Sequence, residues 1–152
     1  MDALLKPPGG RAGIPAGGSP SLEARPQGVV WERAADLAVD LFRLAGQQEL
    51  LEPALSGPLR AAALAVPTFL ARAMGRGGLA EARGQLIQAL GALAEVESHL
   101  AMSERLRGTP PESLAPLRAR IELVRRLIVV LGARPSAGPV APARLDPNRA
   151  IR

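Results

Sequence analysis

Residues 79–106, LAEARGQLIQALGALAEVESHLAMSERL, carry the most regular helical pattern in this sequence. At about 100° per residue, the apolar residues fall within one narrow sector of a helix. They are Leu79, Ala82, Leu86, Leu90, Leu93 and Leu100, and the opposite side holds Glu81, Gln88, Glu95 and His99. The pattern predicts a long amphipathic helix against which the other apolar segments pack.

Glu97 is the exception, because it falls inside this apolar sector. A lone carboxylate there would cost several kcal/mol unless it were paired or neutralised. Glu97 therefore either lies at the edge of the apolar sector or has an arginine partner. The candidate partner is Arg120, which falls at the edge of the apolar sector of the last predicted helix, and we expect a structural Glu97–Arg120 ion pair.

Three further segments show helical periodicity, separated by Gly- and Pro-containing breakers. The first runs over residues 29–45, with Trp31 and Phe42 on its apolar side, where core packing is expected. The second begins near Ser56, which is the expected N-cap, has Pro58 in its first turn and runs to about Met74. The last follows Gly108, with residues 109–112 (TPPE) as a capping box. The sequence predicts an all-α, up-down-up-down antiparallel four-helix bundle.

The bundle is expected to span residues 29–132, with Pro/Gly-rich tails on either side. Residues 1–28 contain few large apolar residues, and residues 133–152 contain repeated prolines and a surplus of arginine. Such compositions bury too little apolar surface to offset the entropy of ordering the chain. We therefore predict a flexible N-terminal tail (1–28) and a flexible, basic C-terminal tail (133–152).

The second predicted helix lacks a broad polar face, since every residue between Arg60 and Arg72 except Thr68 is apolar or proline. A helix that is apolar around most of its circumference must be covered on most sides. Neighbouring helices of a small bundle cannot easily do this, so a second subunit is expected to cover the rest. The predicted oligomer interface comprises Leu64, Val66, Pro67, Phe69 and Leu70.

No catalytic constellation is recognisable. The chain has no Cys, which excludes disulfides and thiolate chemistry, and its one His leaves a poor transition-metal site. Ser98 and His99 point about 100° apart on a helix and cannot act as nucleophile and base. The GRGG turn at 75–78 lacks the Lys-Ser/Thr of a phosphate-binding loop. We expect a non-enzymatic protein with no catalytic residues, no metal and no cofactor.

The balance of charge and hydropathy bears on location and partners. The longest uncharged apolar run, residues 61–71, is shorter than the roughly 20 residues that a membrane helix needs. No apolar signal-peptide core follows Met1, so we expect a cytoplasmic protein without a membrane segment. The formal net charge is +5, and 2% of residues are aromatic. RNA or DNA is therefore a candidate partner only through its phosphates, and an arginine face that is merely solvated is the alternative.

The candidate nucleic-acid-binding residues are five arginines. Three of them, Arg118, Arg125 and Arg126, lie on the last predicted helix opposite or beside its apolar face. The other two, Arg72 and Arg76, lie at the end of the second helix and in the turn that follows. Contacts of these side chains with phosphates would be independent of sequence and sensitive to salt.

Four segments resemble a known family in order and spacing: residues 30–34 (VWERA), 37–44 (LAVDLFRL), 59–67 (LRAAALAVP) and 89–97 (ALGALAEVE). The family is that of the bacterial four-helix bundle proteins of intervening sequences in large-subunit ribosomal RNA genes. Its superfamily includes the accessory variability determinant of diversity-generating retroelements. The resemblance covers residues 29–132, and Arg72 stands where the family usually has Glu.

The resemblance implies a homopentameric barrel without enzymatic activity and, in the retroelement branch, a basic surface that binds a reverse transcriptase and nucleic acid. Our first hypothesis is therefore a homo-oligomeric accessory protein for the reverse transcriptase of a diversity-generating retroelement. The alternative is a structural or regulatory self-associating bundle of the intervening-sequence type, with no nucleic-acid role.

Overall fold

The computed structural model describes residues 26–75 and 77–134. They form four α-helices: α1 (Pro26–Ala45), α2 (Pro53–Ala73), α3 (Leu79–Arg107) and α4 (Pro111–Ala133). No strand occurs in these parts of the chain. Helix α1 packs against α2, α2 against α3, α3 against α4, and α4 against α1, so the helices surround one core. The all-α class and the four-helix bundle predicted from the sequence are confirmed.

The core is built mainly from leucine, with isoleucine, valine and alanine. Its largest fully buried side chains are Leu37, Leu41, Leu51, Leu59, Leu70, Leu93, Leu100, Leu114, Ile121, Ile128, Val66 and Val96. On α3, Ala89, Ala92 and Val96 are buried, whereas Leu79 is exposed. The buried sector of α3 is therefore wider than predicted and turned to one side, because α3 packs between two neighbours, α2 and α4.

Two boundaries differ from the prediction. Helix α1 begins at Pro26, three residues earlier than expected, so residues 26–28 belong to the bundle and not to the N-terminal tail. Proline suits a first helical turn because its fixed φ is already helical and its missing N–H would have no partner there. Helix α4 includes Ala133, which was assigned to the C-terminal tail. The remaining tail residues, 1–25 and 135–152, lie outside the described part of the chain.

The two predicted N-caps are wrong. Helices α2 and α4 begin at Pro53 and Pro111, and neither helix has a side-chain cap hydrogen bond. Ser56 lies inside α2, where its Oγ donates to the carbonyl of Ala45, 2.7 Å away. Thr109 instead donates to the carbonyl of Leu50, at 3.3 Å. Both hydroxyls thus join separate elements. The predicted stop at Gly108 is confirmed, since this residue ends α3 with a φ of 66°.

A buried serine anchors the loop between α1 and α2. Ser103 of α3 is 0% exposed. Its Oγ accepts the N–H of Glu52 at 2.8 Å and donates to the carbonyl of Leu50 at 3.4 Å. Arg107 approaches the Glu52 carboxylate at 3.7 Å. We call this region, where α1 and α3 end and α2 and α4 begin, the polar end of the bundle.

Helix α2 is long and apolar enough to cross a membrane by length and composition alone, contrary to the expectation from residues 61–71. Core helices of soluble proteins pass the same test. In this bundle α2 buries Leu59, Ala62, Ala63, Val66, Pro67 and Leu70. Of its most apolar 18-residue stretch 33% is buried, so packing against α1 and α3 accounts for part of its apolar composition.

Candidate interaction surfaces

Ion pairs follow the seam between α3 and α4. Arg118 donates to the Glu104 carboxylate at 2.8 Å, and Arg125 donates to Glu97. The predicted Glu97–Arg120 pair is therefore wrong. Arg125 and Arg118 lie on the side of α4 that faces α3, whereas Arg120 points to the other side, where it pairs with Asp40 of α1. Helical spacing alone had placed Arg120 near the core without showing which neighbour it faces.

Helix α4 also carries pairs within itself. Glu122 accepts a hydrogen bond from Arg125 at 2.7 Å and from Arg126 Nε at 3.0 Å. The hydrogen bond from Arg126, and then that from Arg125, lowers the pKa of Glu122 below its usual value of 4.5. The hydrogen bond to Glu97 raises the pKa of Arg125 above its ordinary range. These hydrogen bonds therefore favour the charged states of Glu122 and Arg125.

These pairs change the interpretation of the predicted nucleic-acid surface. Arg118, Arg125 and Arg126 are each bound to a carboxylate, so the face that they form has little surplus positive charge. Arg72 is exposed, with its guanidinium 5.5 Å from the centre of the Phe69 ring. Arg76 lies outside the described residues. The structure does not gather the four described arginines into one surface.

Most of the predicted oligomer interface belongs to the core of a single chain. Val66, Pro67 and Leu70 are buried there, and Phe69 is half-buried and packs against it. They are not available to a second subunit, because α1 and α3 already cover that side of α2. Of the predicted set, Leu64 is the one well-exposed member, at 56%. Within this set, the prediction that a second subunit covers α2 therefore depends on Leu64.

Two aromatic residues expected in the core instead lie at its edge. Trp31 and Phe42 of α1 are 39% and 40% exposed. The guanidinium of Arg60 on α2 lies 5.9 Å from the centre of the Phe42 ring, so this side of α1 borders α2. Trp31 lies three turns before Phe42 on the same side, and Leu64 follows Arg60 by one turn. We call Trp31, Phe42 and Leu64 the α1–α2 apolar face. In the sequence, the partial exposure of Trp31 and Phe42 was indicated by their position at the margin of the apolar sector of α1.

The cleft between α1 and α4 is charged on both sides. It encloses about 420 Å³. Its lining comprises Arg33, Asp36, Val39, Asp40, Arg43, Arg120, Leu123 and Val124. Asp40 is bound by both Arg43 and Arg120, so the charges of opposite sign largely compensate one another. This arrangement fixes α1 to α4 and leaves little unbalanced charge for a ligand.

The single histidine is less exposed than its place on the polar side of α3 suggested. His99 is half-buried, and its Nδ1 is shielded from solvent without a hydrogen-bond partner among the described residues. In those residues, no three His, Asp or Glu side chains come together as a set that could hold a metal ion.

Comparison with known proteins bears on the whole bundle. Residues 27–130 match the family model described as 23S rRNA-intervening sequence protein. Curated proteins and solved structures gave no match. The matched segment runs from the first turn of α1 almost to the end of α4 and includes all four helices. The chain therefore belongs to the 23S rRNA-intervening sequence protein family.

Proposed function

We propose that this protein is a non-enzymatic, self-associating bundle with a structural or regulatory role, in which successive helices run up and down. The observation that carries this proposal is the α1–α2 apolar face, where Trp31, Phe42 and Leu64 remain in contact with water. Large apolar side chains grouped on one side of a protein commonly mark an interaction surface. A second copy of the chain is the partner, since the family resemblance implies a homopentamer.

Two observations support the up-and-down arrangement. Glu97 precedes Glu104 along α3. On α4 the order of their partners is reversed, because Arg125, which binds Glu97, follows Arg118, which binds Glu104. In addition, one cleft is lined by residues from the beginning of α1, the end of α2, the beginning of α3 and the end of α4. Neighbouring helices that alternate in direction bring these four ends together.

Native mass measurement tests the assembly. The parent chain should give a mass of more than one copy, with five copies expected from the family resemblance. Leu64→Glu should shift the mass toward the single chain, because a carboxylate would lose its hydration in the contact. Ile87→Glu is the matched control: Ile87 is 67% exposed but lies on α3, away from this face, and its variant should keep the parent mass. A single-chain mass for the parent at every concentration would overturn the proposal.

A second candidate function is the accessory role for a reverse transcriptase, with nucleic acid bound through phosphates. Arg72 supports it, because this side chain is exposed and has no carboxylate partner among the described residues. The paired arginines of α4 argue for the purely structural role instead.

RNA binding measured against salt concentration separates the two functions. For the accessory role, binding should weaken steeply with salt, and Arg72→Gln should reduce the slope by about one contact. Arg105→Gln is the control, because Arg105 is exposed and lies near the C-terminal end of α3, away from the turn that follows Arg72. Absence of binding at low ionic strength would exclude the accessory role, as would a gene neighbourhood without a reverse transcriptase and template repeat.

A further inference from the structure

The end of the bundle opposite the polar end contains an apolar cleft of about 320 Å³. Its apolar lining is contributed by the end of α2, the first turns of α3 and the end of α4: Met74, Leu79, Leu86 and Leu131. Gln27, Arg83 and Arg134 supply its polar lining. We call this the open-end cleft. Its volume is at the lower limit of small-molecule sites, and its combination of apolar walls with a few polar groups is typical of them.

A second, smaller cleft of about 210 Å³ adjoins the first. The two share Leu131 and Arg134, and the second continues to Val29, Leu127 and Val130. An apolar path therefore leads from the mouth between α2 and α3, past Arg134, to the side of the bundle between α1 and α4. A path of this form suits an elongated apolar group better than a compact one.

The charges around this path have one sign. Among the described residues, Arg83 and Arg134 are its only ionisable lining residues, and neither forms an ion pair with another of those residues. This differs from the α1–α4 cleft, where Asp36 and Asp40 offset the charge of two of the three lining arginines. The open-end cleft thus has a positive potential beside apolar walls and is complementary to an apolar anion.

We propose that the open-end cleft binds a small organic carboxylate with an elongated apolar body. The carboxylate accepts hydrogen bonds from the guanidinium groups of Arg83 and Arg134, which match its planar geometry. The apolar body lies on Leu79, Leu86 and Leu131 and leaves water. The lining of the open-end cleft shares no residue with the α1–α2 apolar face.

Calorimetric titration of the full chain with octanoate tests this proposal. Octanoate should bind in a saturable manner, with one site per chain. Acetate, which has the charge without the apolar body, should give no saturable heat. Octan-1-ol, which has the body without the charge, should bind about tenfold more weakly, because the charged hydrogen bonds are lost. Absence of saturable octanoate binding, or equal affinity for the alcohol, would overturn the proposal.

Matched variants locate the site. Arg134→Gln and Arg83→Gln should each weaken octanoate binding about tenfold, whereas Arg105→Gln at the far end of α3 should leave it unchanged. Gly132→Leu should abolish binding by filling the cleft. A Cβ at this position would lie 3.5 Å from Leu86 Cδ1, an ordinary contact, and Gly132→Ala is therefore the variant that should keep the parent fold and thermal stability. Circular dichroism checks that Gly132→Leu is folded before its binding is measured. Binding that survives in a folded Gly132→Leu variant would place the ligand elsewhere and contradict the proposal.

Discussion

Ser103 shows how one buried hydroxyl can fix the position of a loop. It provides an acceptor for the Glu52 N–H and a donor for the Leu50 carbonyl, two groups more than 50 positions away in the chain. Ser103 is 0% exposed. Without its hydroxyl the Glu52 N–H would lose its hydrogen-bond partner, whereas the Leu50 carbonyl would keep the hydrogen bond from Thr109. The hydroxyl therefore links α3 to the start of α2 at the polar end.

Replacement of this hydroxyl should destabilise the protein. We expect Ser103→Ala to lower the free energy of unfolding by roughly 1–3 kcal/mol, the usual cost of leaving buried polar groups unpaired. Urea denaturation monitored by circular dichroism measures the change. Ser98→Ala, at an exposed position on the same helix, should change stability by less than about 0.5 kcal/mol. Equal effects of the two substitutions would show that the Ser103 hydrogen bonds contribute nothing.

Glu122 gives a second residue-scale prediction, based on pH. Arg126 and Arg125 lower its pKa in the folded chain below 4.5. The carboxylate therefore stabilises the fold fully above its unfolded-state pKa, and this contribution is lost as the pH falls through the folded-state pKa. Glu122→Gln should reduce stability at neutral pH and match the parent once the carboxyl is protonated.

Urea unfolding at a series of pH values checks this expectation. Glu95→Gln, at an exposed position of α3, is the control for the loss of one surface carboxylate and should change stability at neutral pH by less than about 0.5 kcal/mol. A stability difference for Glu122→Gln that persisted unchanged into acid would mean that packing, and not the charge, accounts for the effect.

At the scale of the helix, two glycines of α3 should respond in opposite ways to the same substitution. Gly91 lies within the helix, and a Cβ there would meet nothing within 4 Å. Gly91→Ala should stabilise the protein by about 0.5–1 kcal/mol, because alanine loses less conformational entropy on forming a helix. Gly108 ends the helix with a φ of 66°, so Gly108→Ala should destabilise it by about 1–2 kcal/mol.

Thermal or urea unfolding of the two variants measures both signs. Each variant is the other's control, since the same methyl group is added to the same helix. Destabilisation by Gly91→Ala would indicate that the outer side of α3 is in close contact with another chain, which the single subunit does not show.

The helices themselves could be read from the sequence, but their neighbours could not. The 3.6-residue period and the breakers at Gly75, Pro53 and Gly108 separated four segments, because apolar spacing and backbone freedom are local properties. The choice of partner is not local. Arg120 and Arg125 both flank the buried side of α4, and only packing decides that one meets α1 and the other meets α3.

The predictions of the two N-caps and of the two core aromatic residues failed for a related reason. Ser56 and Thr109 have the side chains of N-caps, yet the prolines beside them set the helix starts and free both hydroxyls for contacts across the bundle. Trp31 and Phe42 lie at the margin of the apolar sector of α1, but this position does not show which neighbouring helix they border or how far it covers them. The candidate surfaces therefore became visible only once the neighbours of each helix were known.

At the scale of the whole molecule, the two ends of the bundle differ. The polar end joins α1, α2, α3 and the loop before α4 through Ser56, Ser103 and Thr109. The other end contains the open-end cleft, with two arginines beside an apolar floor. Self-association through the α1–α2 apolar face would leave both ends accessible, because that face runs along the side of the bundle.

Trp31 provides a direct test of this arrangement, since it is the only tryptophan in the chain and belongs to the proposed contact. In one copy its side chain is 39% exposed. If copies meet through this face, the indole leaves water as protein concentration rises, so its emission should shift to shorter wavelength. The midpoint of unfolding should rise over the same range, because association stabilises only the folded chain.

Leu64→Glu should remove both changes, whereas Ile87→Glu should retain them, because only Leu64 shares a face with Trp31. The two measurements also distinguish shielding of Trp31 by its own chain from shielding by a second copy. A short emission wavelength that is independent of concentration would mean that the same chain shields Trp31, in which case the α1–α2 apolar face is not a contact between copies. If the emission wavelength of Trp31 and the midpoint of unfolding shift together with protein concentration, and Leu64→Glu removes both shifts, a second copy must shield Trp31 from water.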